Sequence, residues 1–155
     1  FKILKKMNKP VDLDYTLKIV KYADSLKIKK GAFFILGYYN ETKNDRKETR
    51  KYIGRLVKSG LDEITLFIFC PVPGSRDFKY FKQLGNFKNY EELCWSPRWR
   101  KDYKTLNLYR AYLYIYFYFI KLFYHPLNMT KSIFNILFNR YELKTEMAFK
   151  RIVFG

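Results

Sequence analysis

Cysteine and histidine are almost missing from this sequence. Cys70 and Cys94 stand far apart, neither lies in a Cys-x-x-Cys pair, and His125 is the lone imidazole. The donors of a zinc site are therefore not assembled. The two thiols read as small, half-buried side chains of a reducing cytosol, and Cys70 has no neighbouring base in sequence that would make it a nucleophile. An initiator methionine and a signal-peptide pattern are also lacking at Phe1, so the expectation is a cytoplasmic piece of a longer protein. Nor is there an apolar run long enough to cross a bilayer. In the richest stretch, TLNLYRAYLYIYFYFIKLFYHPL, ten uncharged residues separate Arg110 from Lys121, about 15 Å of helix against roughly 30 Å of hydrocarbon.

Acidic residues are scarce as well: 14 Asp and Glu face 31 Lys and Arg, for a formal net charge of +17. Such a surface attracts nucleic acid and anionic membrane without specificity. The alternative function it suggests is a noncatalytic basic module binding nucleic acid or an anionic membrane surface, with the chain peripheral to that membrane. The excess is spread evenly, however, with 19 basic and 9 acidic residues in 1–85 and 12 and 5 in 86–155. Lys, Asn, Ile, Phe and Tyr are the residues of A/T-rich codons, and a genomic base bias accounts for much of their abundance.

What is present is a pattern of elements. A short helix ends before Pro10, and Asp12 then caps a helix whose broad apolar stripe takes in Leu13, Leu17, Val20 and Ala23, with Ile19, Tyr22 and Leu26 beside it. Lys27 to Lys30 follow, suited to the helix dipole. Two short runs rich in Phe and Ile, Ala32 to Leu36 and Ile64 to Phe69, read as strands buried on both faces. Between them, Thr42 and Asp45 form a capping box that opens a helix stopping near Gly60, polar on one face and apolar through Tyr52, Ile53, Leu56 and Val57. Strand, helix and strand in this span make one parallel βαβ unit. Its carboxyl ends, where ligands gather in such units, are Gly37-Tyr38-Tyr39-Asn40-Glu41-Thr42 and Cys70-Pro71-Val72-Pro73-Gly74-Ser75. A short helix over Asp77 to Leu84 leads to a boundary near 86. Tyr90 to Trp99, with its Ser96-Pro97 break, is expected to pack on the sheet. From Tyr103 the chain is helical and aromatic, with Pro126 ending one helix and Thr130 capping the next.

The two loop motifs, in this order and spacing, resemble the later half of a radical S-adenosylmethionine (SAM) enzyme core, in the branch that often carries an upstream cobalamin-binding domain. The family pattern is an apolar strand, Gly-aromatic-Pro-Gly-Glu-Thr, a polar helix, a second apolar strand and Pro-aromatic-Pro-Gly-Thr. Here the motifs read Gly37-Tyr38-Tyr39-Asn40-Glu41-Thr42 and Pro71-Val72-Pro73-Gly74-Ser75, with Tyr39 and Asn40 in place of Pro-Gly. Leu4-Lys5-Lys6-Met7-Asn8-Lys9 resembles the segment after the fourth barrel strand. The match covers roughly residues 1–85.

The resemblance implies an α/β fold: the C-terminal part of a partial (β/α) TIM-like barrel over 1–85, followed by an aromatic-rich helical extension over 86–155. It implies that Phe33, Ile35 and Gly37 lie against the adenine of SAM, and it puts Tyr38, Glu41, Phe69 and Pro71 in the same cofactor-binding set. Glu41 also reads simply as a residue that steadies its loop or the helix dipole. The family's Cys-x3-Cys-x2-Cys motif is absent, and two cysteines cannot supply the three thiolates a [4Fe–4S] cluster needs. The chemistry, reductive cleavage of SAM to a 5′-deoxyadenosyl radical or a linked methyl transfer, would belong to a full-length parent. That parent would hold the missing N-terminal half of the barrel, the cluster, an electron donor and, through an upstream domain, cobalamin. No catalytic residue or metal ligand is assigned to this chain, and its substrate is not readable.

Overall fold

The structure is a computed structural model that describes residues 2–93 and 96–154. Cys94 and one of the two tryptophans, Trp95, lie outside the described residues. Helix α1 (Lys2–Lys6) is followed by α2 (Leu13–Ser25), strand β1 (Gly31–Leu36), α3 (Lys43–Lys58) and strand β2 (Glu63–Ile68). Two 3₁₀ turns (Arg76–Tyr80 and Tyr90–Glu92) flank the short α4 (Phe81–Leu84), and α5 (Tyr103–Tyr124), α6 (Pro126–Leu137) and α7 (Lys144–Phe154) complete the chain.

Local chemistry sets the boundaries as expected. Asp12 Oδ1 accepts from the amides of Asp14 and Tyr15 at 3.0 and 2.9 Å, fixing the start of α2. Thr42 and Asp45 exchange side-chain and main-chain hydrogen bonds in a complete capping box. After α3 the chain reverses through Gly60, whose φ of +100° belongs to glycine. As expected, α5 stops just ahead of Pro126, since a proline disfavours helical backbone in the residue before it; Pro126 then opens α6, where its missing N–H costs nothing, and Thr130, expected as a cap, instead sits inside α6 with its hydroxyl on the Pro126 carbonyl.

β1 and β2 pair in parallel, with Ala32 opposite Ile64, Phe34 opposite Leu66 and Leu36 opposite Ile68. Those six residues form the inner face. The core beneath them joins Leu36, Ile64 and Leu66 to Tyr52, Ile53, Leu56 and Val57 of α3, Val20 of α2 and Leu113 and Phe117 of α5. Helix α5 thus shares one core with the βαβ unit. The described residues form an α/β arrangement with a two-stranded sheet and no closed barrel.

The expectation that both strand faces are buried is corrected. The opposite face carries Phe33, Thr65, Ile35 and Phe67, and Phe33 is 67% exposed. Period-two alternation set by one covered face explains this, since all the helices that reach the sheet's core pack on the other side. The charged face of α3 is likewise less solvated than its composition suggests. Arg46 and Arg50 lie over the rings of Tyr109 and Tyr116, and Arg50 Nη1 donates to the Tyr112 hydroxyl at 2.9 Å.

The two sheet edges differ. Along β2, the Tyr114 hydroxyl accepts the Leu66 N–H, Lys121 Nζ donates to the Asp62 carbonyl at 2.5 Å, and Thr145 donates to Glu63. At the amino end, buried Asp62 receives the Lys30 amide at 2.9 Å and pairs with the Lys30 ammonium at 3.1 Å. Along the far edge of β1 there is instead a cleft of about 320 Å³, bordered by Gly31 to Ile35 on one side and by Ile3, Leu4, Met7, Val11 and Leu13 on the other.

Candidate functional site

The parallel register brings the two glycine- and proline-bearing loops to the same end of the sheet, because each strand runs into its loop in the same direction. At β1 the turn is held from within. The Gly37 amide donates to Glu41 Oε2 at 2.9 Å, the same oxygen accepts from Arg46 Nε at 3.0 Å, and the Glu41 amide returns to the Tyr38 carbonyl at 2.9 Å. Burial raises the Glu41 carboxyl above its ordinary value, against the lowering effect of Arg46 and the Gly37 amide. Through Oε2, Glu41 thus steadies its loop.

Gly37 has φ of +69°. A Cβ there would collide with the Leu106 side chain of α5 and come within 3.1 Å of Arg100 Nη2. The space a side chain would take is filled by the helical extension, and the left-handed backbone is what lets β1 turn beneath it.

At β2, Arg100 closes the strand end. Its guanidinium is 3% exposed, grips Asp102 through Nε and Nη2 at 2.9 and 2.8 Å, and donates from Nη1 to the Phe69 carbonyl at 2.6 Å. Tyr38 is buried with its ring edge-on to Phe69, centroids 4.8 Å apart, and its hydroxyl donates to Asp77 Oδ2 at 2.9 Å. Burial, then the Asp77 carboxylate, raises that phenol. Tyr39 stacks face to face on Tyr80 at 3.9 Å. Pro71 is fully buried, and Cys70 is half-buried beside it. Tyr109 reaches in from α5, donates to the Arg46 carbonyl at 2.6 Å, and has its phenol pushed up to about 12 by burial and the nearby Glu41.

The candidate residues thus fall into two groups. Phe33, Ile35 and Glu41 border the cleft along β1. Gly37, Tyr38, Phe69 and Pro71 lie in the packed layer between the strand ends and the residues that follow them. Phe33 and Phe67 stack at 6.0 Å on the open face, with Ile35 paired beside Phe67, giving a flat apolar floor. A planar ring suits such a floor. Around the strand ends, the carboxylates of Glu41, Asp45, Asp77 and Asp102 each accept from a named donor. What the arrangement offers is shape and apolar contact, with the Glu41 carboxyl at the cleft border.

Arg100, Leu106 and Tyr109 were not legible as part of this site. Their roles come from α5 and the residues just before it, more than sixty residues after β1, returning to its end, and the one local signal is the Arg100-Lys101-Asp102 spacing that permits a bidentate pair.

No family model matches the chain. An uncharacterized protein of Methanopyrus kandleri is 28% identical over 74 residues, a segment that amounts to 48% of this chain and 14% of that relative's length. No solved structure matches.

Proposed function

We propose that this chain is the C-terminal part of a radical SAM enzyme core and that it contributes the adenine-facing floor of a cofactor site completed by an N-terminal half of the same barrel. The observation that carries the reading is the free edge of β1. By the parallel pattern, Gly31, Phe33 and Ile35 turn their amides and carbonyls toward it, and a largely apolar cleft borders Gly31 to Ile35. The outer stripe of α2, Tyr15, Ile19, Tyr22 and Leu26, is exposed on the same N-terminal part of the chain. An uncovered parallel edge is a place for a further strand. The opposite edge, at β2, is already closed.

The order of the two loop motifs and their delivery to one end of the sheet support the family reading. An adenosyl ring fits the floor of Phe33, Ile35 and Phe67. The iron–sulfur cluster does not fit this chain, whose two distant cysteines fall short of three thiolates. Reductive cleavage of SAM, any cobalamin and the electron donor would therefore belong to the whole parent. In these residues the work is to bind and orient the nucleoside: Phe33 and Ile35 supply contact, and Glu41 holds the Gly37 turn in place.

Titrating the chain with SAM while following its side-chain NMR resonances tests this directly. Phe33, Ile35 and Phe67 are expected to shift, and Phe33→Ala to weaken the response; shifts confined to other residues, or none, would remove the adenosyl reading. Anaerobic reconstitution with iron and sulfide is expected to leave no stable cluster absorption, and a robust one would overturn the assignment of the ligands to an upstream half.

A further inference from the structure

Helix α5 is apolar on two faces. Leu106, Leu113 and Phe117 point into the core, while Leu108, Ile115, Phe119 and Leu122 point away from it. At about 100° per residue these four fall within about 60° of arc. Leu108 is 73% exposed and Ile115 70% exposed. Tyr112, Tyr118 and Phe123 border the same stripe, also exposed. No charged residue interrupts it between Arg110 and Lys121, and Lys121 is buried on the other side.

We propose that this outer stripe of α5 docks on the surface of an anionic bilayer, with the helix lying in the interface plane. Charge complementarity selects that occupant. From Tyr103 to Tyr141 the sequence contains no Asp or Glu, whereas Lys104 and Arg110 lie on α5 and Lys131 on α6, the last paired with Glu142. A helix that must approach lipid phosphates gains from carrying no carboxylate of its own, and tyrosines at the borders of its stripe suit the headgroup level. A second copy is the poorer occupant, since each chain brings a net charge of +17 to the contact. The stripe runs about 21 Å from Leu108 to Leu122 at 1.5 Å per residue, and no helix among the described residues is long and apolar enough to cross a membrane. It therefore lies on the surface rather than through it. This inference stands apart from the cofactor reading, which concerns the other side of the molecule's core.

Co-sedimentation with vesicles of phosphatidylcholine containing about one-third phosphatidylglycerol provides the test. Binding is expected at low salt, much weaker on pure phosphatidylcholine, and reduced as salt rises from about 0.1 to about 1 M and the screening length falls from about 10 to about 3 Å. The exposed-site double variant Ile115→Glu/Phe119→Glu, checked for an unchanged circular dichroism spectrum, is expected to lose at least about tenfold in partitioning. The control Tyr15→Glu/Tyr22→Glu on α2 should bind as the parent does. Retained binding by the α5 variant would show that charge alone holds the chain to vesicles and would overturn the proposal. So would a stable dimer, dispersed by the α5 variant, that ignores vesicles. Should the α5 variant fail to fold, Leu108→Gln alone replaces it, with a smaller loss expected and an unchanged partition overturning the proposal.

Discussion

The hydroxyl of Tyr114 stands 3.2 Å from the main-chain nitrogen of Leu66 and accepts its hydrogen. In a parallel strand alternate amides point to opposite edges, so this bond satisfies an outward N–H of β2 with a side chain from α5. A helix from the C-terminal part of the chain thus covers the β2 edge, and among the described residues the edge of β1 carries no such cover.

Tyr114→Phe should leave the Leu66 amide without a partner at little change in volume. The expected loss is about 1–2 kcal/mol of unfolding free energy, measured by urea denaturation, together with faster amide exchange at Leu66 than at its inward neighbour Thr65. Equal exchange in both proteins would mean that the edge is not closed by this bond.

Gly37→Ala combines a left-handed backbone with a methyl directed into Leu106. We expect at least about 2 kcal/mol of destabilisation, of which about 1 kcal/mol is the backbone term. Adding Leu106→Ala should make the second effect less than additive, because the two side chains contest one space. Strict additivity of the two changes would show that they do not.

Removing the guanidinium in Arg100→Met strands the Phe69 carbonyl and releases Asp102. A loss of about 2–3 kcal/mol is expected, with Arg100→Lys recovering only part of it because an ammonium cannot reproduce the bidentate fork. Thermal melts of the three proteins would order them, and equivalence of Lys and Arg would argue against the planar grip.

Stability should also fall on the alkaline side. Tyr109 keeps its proton in the folded chain up to about 12, whereas the unfolded value is 10.0. Between those values the folded state binds more protons than the unfolded one, so its contribution is complete below 10 and is lost as pH rises through about 12. Tyr109→Phe should flatten that decline without abolishing it, since burial also raises Tyr38 and Tyr52. Urea midpoints across this range, compared between the two proteins, would show an unchanged slope if Tyr109 were freely titrating.

Much of the local structure needed nothing beyond the chain itself. Asp12, the Thr42 and Asp45 pair and Gly60 mark helix ends because each satisfies or frees main-chain groups within a few residues of itself, and the two apolar runs with a helix between them specify parallel pairing. What those residues could not determine is which face of the strands would be covered. Phe33 and Phe34 are adjacent and identical, yet one is exposed and the other packs against Tyr52, because helices cover only one side of the sheet. Nor could spacing reveal that Arg100, Leu106 and Tyr109 close over the strand ends, or that one face of α5 enters the core while its equally apolar opposite does not. Short-range hydrogen bonding is written in neighbouring residues; burial is settled by which surfaces meet after the chain has folded back on itself.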